Sequence, residues 1–153
     1  MNEKEVRIAH RILLDLLITF HQFCESHKLK YYIIGGTLLG AVRHKGFIPW
    51  DVDADVAMPR EDYEKMLSLV SEFPQDYFIQ NINTEKHFHT PKTKIIVNGA
   101  KKDNPDNYLA SSRTGLNLDI FPLDVPPSEI NKRKIQRLKI KFFKFILSIK
   151  LKM

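Results

Sequence analysis

With 153 residues, 43% of them hydrophobic and 10% aromatic, the chain is long enough for one ordinary domain with a real core and too apolar to be disordered. Its net charge of +6 is uneven: residues 132–153 hold nine Lys or Arg and no acid, and the other 131 residues carry fifteen basic against eighteen acidic side chains. A mildly acidic body with a basic tail argues against the nucleic-acid partner that a uniformly basic chain would invite.

The opening residues, MNEKEVR, are charged and lack a secretory apolar segment, and no 18-residue window is continuously apolar. A cytoplasmic protein without a spanning helix is expected. The lone cysteine, Cys24, has no internal disulfide partner and sits in an apolar helical pattern, so it reads as a buried, reduced core residue.

The first predicted element is an amphipathic helix from about Asn2 to His27, with Val6, Ala9, Leu13, Leu16, Phe20 and Phe23 at steps of three and four. Asn2 and Glu5 have the spacing of a capping pair. "YYIIGG" reads as a short strand stopped by two glycines, and "TLLGAVRHKG" as a short helix. "WDVDADVAM" alternates and predicts a strand with one wet face. Pro59 opens the next helix, which runs to about Phe73 before Pro74. "YFIQNIN" and "KTKIIVNG" predict two strands, a polar loop covers about 100–114, and "GLNLDIFPLD" predicts another strand. Ser128 can cap a last helix. The order α-β-α-β-α-β-β-β-α implies an α+β fold, a mixed sheet backed by helices.

Three features could carry chemistry. Asp51, Asp53 and Asp55 stand at alternate positions, and carboxylates two apart on a strand point the same way, roughly 6–7 Å apart. Such a set can converge on a hard cation such as Mg²⁺, which prefers a few carboxylates, water and phosphate oxygens. A solvated edge strand explains the alternation alone equally well. A calcium loop does not: Val56 stands where that turn needs Gly, and Pro59 interrupts it. Second, Gly35 and Gly36 end a strand before a helix, an arrangement that lets backbone N–H groups approach an anion, although an ordinary glycine turn looks the same. Third, Asp119 faces away from its Leu and Ile neighbours, and a sheet could bring it beside the Asp53/Asp55 strand. Arg43, His44, Lys92 and Lys94 are basic side chains suited to phosphate. His87 and His89 lack Cys or His partners at zinc-ligand spacing.

Together, "GGTLLGAVRHKGFIPWDVDADVAMPREDYEKM" and "LDIFPLD" resemble the two signatures of the LicD family, over about Tyr31 to Pro126. The resemblance implies a nucleotidyltransferase-like fold with Asp53, Asp55 and Asp119 as metal-binding carboxylates for Mg²⁺ or Mn²⁺. It implies contacts from Gly35, Gly36 and Thr37 to the donor phosphate, with Arg43 and Lys94 at recurrent basic positions. The implied activity is transfer of a phospho-alcohol group, such as phosphocholine, from a CDP-activated donor to a cell-surface glycan. A nucleotidyltransferase moving NMP from an NTP, and a non-catalytic binding domain, are the alternatives.

The family pattern Trp-Asp-Asp-Asp-Ile-Asp is altered here by Val52 and Ala54. Family members continue well past the second signature, so a truncated or minimal member is expected. The expected organisation is an N-terminal helix over residues 1–30 packed on the core, a nucleotidyltransferase-like core over 31–127, and a basic amphipathic helix over 128–153. That last helix suits an anionic membrane surface near a lipid-linked acceptor, and equally a helix packed on the domain or the start of a further subdomain.

Overall fold

The structure is a computed structural model that describes residues 1–85, 88, 90–99 and 115–150. The histidine pair 87 and 89 and the polar loop 100–114 lie outside the described residues. The chain divides into two compact units, Met1–Leu123 and Asp124–Met153.

The first unit opens with helix α1, Glu3–Ser26. Its start is fixed by a reciprocal cap, in which Glu5 N–H donates to Asn2 Oδ1 (3.0 Å) and Asn2 N–H donates to Glu5 Oε2 (2.8 Å). Of the predicted stripe, Ala9, Leu13, Leu16, Phe20 and Phe23 are buried, joined by Cys24, while Val6 is half-buried. Each of the larger fully buried side chains contributes about 1.5–3 kcal/mol of burial free energy. Cys24 is completely buried, and burial, with help from the Asp62 and Glu25 charges, pushes its thiol pKa up to about 12.

The sheet has the order β1-β2-β5-β4-β3. Its strands are β1 (Tyr32–Ile33), β2 (Ala54–Pro59), β3 (Tyr77–Gln80), β4 (Thr93–Val97) and β5 (Asn117–Leu123). The β2–β5 pair is parallel and the other three pairs are antiparallel, so the fold is a mixed-sheet α+β arrangement as the sequence implies. Helix α2 (Gly35–His44) links β1 to the loop before β2. Helix α3 (Arg60–Ser68) follows β2 directly, and a single 3₁₀ turn, Val70–Glu72, leads to Phe73. Ala54, Val56 and Met58 of β2 join Leu118 and Ile120 of β5 and the α1 stripe in one apolar cluster.

Several element boundaries differ from expectation: α2 takes in Gly35 and Gly36, α3 ends at Ser68 rather than near Phe73, and β3 ends at Gln80. The strand expected to start near Trp50 starts at Ala54, the first residue with a partner across the ladder, Leu118. Ahead of it Asp51 N–H closes a turn on the Ile48 carbonyl (3.0 Å). Asp51 and Asp53 therefore sit on the approach to the strand, and only Asp55 lies on it. In the second unit, helix α4 (Ile130–Lys150) begins two residues after Ser128. Arg133, Lys134, Arg137, Lys141 and Lys144 form one stripe of α4, and Ile135, Leu138 and Phe142, all exposed, lie on another. Among the described residues no helix is long and apolar enough to cross a membrane.

Candidate active site

Sheet register builds the site. Asp55 is the Cα partner of Asp119 across the parallel β2–β5 ladder, Lys94 is the partner of Asp119 across β5–β4, and Gln80 is the partner of Lys94 across β4–β3. Adjacent strands lie about 4.8 Å apart and partner residues point to the same face, so Asp55, Asp119, Lys94 and Gln80 form one polar rung across four strands. On β2 the residues flanking Asp55, Ala54 and Val56, are both fully buried on the apolar side. Burying that side fixes the carboxylate to the other face.

The backbone of Asp55 is held at the β1–α2 junction. Its N–H donates to Thr37 Oγ1 (2.7 Å), and its carbonyl accepts from Ile34 N–H (3.1 Å). Thr37 is buried in the first turn of α2, so this hydroxyl ties the start of the helix to the acidic strand.

The two glycines give the acidic side chains room. Gly35 has φ +56°, and a Cβ there would lie 2.8 Å from Asp55 Oδ2; a Cβ on Gly36 would lie 2.4 Å from Asp51 Oδ2. Carboxylates thus approach the α2 N-terminus closely, where the helix dipole favours negative charge. The sequence reading placed donor phosphate at this turn; in the structure the space over the glycines holds the Asp55 and Asp51 carboxylate oxygens.

Charge accumulates around Asp55. Its pKa is raised, first by burial and then by the Asp53, Asp119 and Asp51 carboxylates, while the Lys92 ammonium opposes the shift. Asp119 is nearly buried, at 6% exposure. Asn117 Nδ2 donates to its Oδ1 (2.9 Å), Lys94 Nζ lies 3.5 Å from the same oxygen, and Lys92 Nζ donates to Oδ2. Lys92 also lies over the Phe121 ring, 5.0 Å from its centroid. Among the described residues no group of three or more His, Cys, Asp or Glu side chains is placed to hold a metal ion. The available donors, Asp53, Asp55, Asp119 and the flanking Asp51, are all hard oxygens, the class that suits Mg²⁺ or Mn²⁺.

The structure therefore brings Asp55, Asp119, Thr37, Gly35 and Lys94 together, with Asp53 coupled to Asp55 through charge and Gly36 beneath Asp51. It leaves Arg43 apart: this exposed side chain is in the last turn of α2, eight residues or about 12 Å along the helix from Gly35. Sequence reasoning missed two supporting residues, Asn117 and His10, and assigned a third, Lys92, to phosphate where the structure pairs it with Asp119. Lys92 and Asn117 hold Asp119, and both were visible as polar residues two positions from Lys94 and Asp119 respectively. His10 of α1 stacks on Phe47 (4.9 Å between centroids), and its Nε2 donates to the Asp51 carbonyl (2.7 Å). This fixes the loop before β2, and nothing local in the sequence signals a contact 41 residues apart.

Residues 28–147 match the family model described as "LicD/FKTN/FKRP, nucleotidyltransferase domain". The chain belongs to the LicD/FKTN/FKRP family. It is 30% identical over 147 residues, 93% of its length, to the lipopolysaccharide cholinephosphotransferase LicD of Haemophilus influenzae, and spans 55% of that protein. A shorter match, 47% identical over 38 residues, covers 25% of this chain and 8% of the ribitol 5-phosphate transferase FKRP of Homo sapiens. The chain thus spans little more than half of the longer-matching relative and a small part of the other.

Proposed function

We propose that this domain transfers a phospho-alcohol group, such as phosphocholine, from a CDP-activated donor to a hydroxyl of a cell-surface glycan. Membership of a family whose members include a cholinephosphotransferase and a ribitol 5-phosphate transferase supports the reaction class. The observation that carries the site assignment is the register of Asp55 against Asp119. It sets two hard-oxygen donors side by side on one face, with Asp53 charge-coupled to Asp55.

In this reading Asp53, Asp55 and Asp119 hold Mg²⁺ or Mn²⁺, which supplies neutralisation of the donor pyrophosphate and polarisation of the attacked phosphorus. The chain's own residues do the rest. Thr37 and Ile34 hold the Asp55 backbone, Asn117 orients Asp119, and Lys94 provides positive charge beside the rung for charge developing on the transferred phosphoryl group. Gly35 and Gly36, having no Cβ, let the Asp55 and Asp51 carboxylates lie against the α2 N-terminus. The basic stripe of α4 serves as a peripheral contact with anionic lipid near a lipid-linked acceptor, a role that liposome flotation with and without residues 128–153 checks.

Product analysis tests the reaction. With CDP-choline, a glycan acceptor and Mn²⁺, release of CMP with phosphocholine on the acceptor is the expected result. Pyrophosphate released from CTP, with no CMP from CDP-choline, would assign NMP transfer instead.

A further inference from the structure

Lys92 is not among the residues through which the family resemblance assigns function, yet it makes the most direct contact with the site's most buried carboxylate. Asp119 places Oδ1 on Asn117 and Oδ2 on Lys92. The side chain of Asp119 is 9% exposed and that of Lys92 21%, so both charges are largely removed from water and each requires the other. The Phe121 face beneath Nζ adds a cation–π contact. Lys92 also acts beyond its partner, since its charge opposes the rise in the Asp55 pKa. One ammonium thus bears on both carboxylates of the rung, the same electrostatic task that a divalent cation performs in the reading above.

We propose that Lys92 is the resident counter-ion of the carboxylate rung: it holds Asp119 in the metal-free protein, exchanges Asp119 for a donor phosphate oxygen when a divalent cation takes the carboxylate, and returns to Asp119 on release. This rests on the metal-dependent reading of the site. The exchange suits a lysine: its ammonium is a point charge on a flexible four-carbon stem, free of the planar fork that would lock an arginine onto one carboxylate. It also gives distinct roles to Lys94 of β4 and to Lys92, one residue ahead of that strand. Lys94 lies directly across the ladder from Asp119 at 3.5 Å, whereas Lys92 makes the hydrogen bond from two residues away.

The test compares wild type with Lys92→Met and Lys92→Gln, by calorimetric Mn²⁺ binding and by thermal melting in EDTA and in saturating Mn²⁺. Removing the competing ammonium is expected to tighten Mn²⁺ binding by about tenfold, because a charge-assisted hydrogen bond no longer has to be broken. In EDTA the Met variant is expected to melt several degrees below wild type, with the gap closing in Mn²⁺. Lys92→Gln, which keeps a hydrogen-bond donor, retains the fold if Met proves too disruptive and shows the same tightening. Unchanged or weaker Mn²⁺ binding in both variants, with wild type binding normally, overturns the exchange and leaves the metal reading standing. A melting gap that persists in Mn²⁺ also overturns it, by making Lys92 a purely structural partner. Absence of Mn²⁺ binding in all three proteins overturns both.

Discussion

Asp55 and Asp119 are Cα partners across the parallel β2–β5 ladder, so two carboxylates distant in sequence share one rung of the sheet. Burial, then the Asp53 and Asp119 carboxylates, raise the Asp55 pKa, and such a pairing would be a liability in a surface sheet, where like charges directly opposite are destabilising. Here it is held by a tied backbone at Asp55, by Asn117 and two lysines at Asp119, and by glycines that let carboxylates close on a helix N-terminus.

The tie at Asp55 is testable. Thr37→Val keeps the shape of a buried side chain and deletes the acceptor of the Asp55 N–H. An unsatisfied backbone donor costs about 1–3 kcal/mol, and urea unfolding is expected to show a loss in that range. Thr37→Ser retains the hydroxyl and is expected to recover most of it.

The two glycines should separate by substitution. Gly35→Ala forces a Cβ onto a residue with φ +56° and drives it against Asp55 Oδ2; a loss of about 1–2 kcal/mol is expected from the left-handed backbone alone, together with loss of CMP release. Gly36 has no such backbone demand, and its added Cβ meets the far end of the Asp51 side chain. Gly36→Ala is expected to melt near wild type and to lower activity, because Asp51 must move. Parallel melting and CMP assays on both variants check this.

Cys24 provides a pH test of the core. Its thiol is completely buried, and its pKa is raised from 9.0 to about 12. An acid whose folded pKa exceeds its unfolded value binds more protons in the folded state, so stability falls as pH rises. The loss begins near the unfolded value of about 9 and is complete near 12. Cys24→Ala removes this component, so the wild-type-minus-variant stability difference is expected to shrink between those limits. At pH 8 the native thiol is expected to resist a maleimide that labels it once the chain unfolds.

Much of the fold was legible because its signals are local. The α1 stripe, the Asn2–Glu5 cap and the helix start after Pro59 all follow from spacing and backbone chemistry, whereas Gly35 and Gly36 open α2 rather than end β1. The start of β2 was not legible: the alternation runs back through Asp51, but a strand extends only as far as it finds a partner, and that partner begins with Leu118 opposite Ala54. At the site, alternation marked Asp51, Asp53 and Asp55 alike and set Asp119 opposite its apolar neighbours, whereas the alignment of Asp55 with Asp119 is a matter of long-range register. The same limit explains Lys92. Periodicity put it on the face of Lys94, but only the three-dimensional ladder shows which lysine reaches Asp119. His10, anchoring Asp51 from α1, left no trace in local pattern.

The central claim is that Asp55 and Asp119 share a divalent cation, and calorimetric titration with Mn²⁺ of wild type, Asp55→Ala and Asp119→Asn tests it most directly. Saturable Mn²⁺ binding by wild type, lost in Asp55→Ala and weakened at least tenfold in Asp119→Asn through loss of a charged ligand, is the predicted result. Mn²⁺ binding of wild-type strength in both variants would contradict the account.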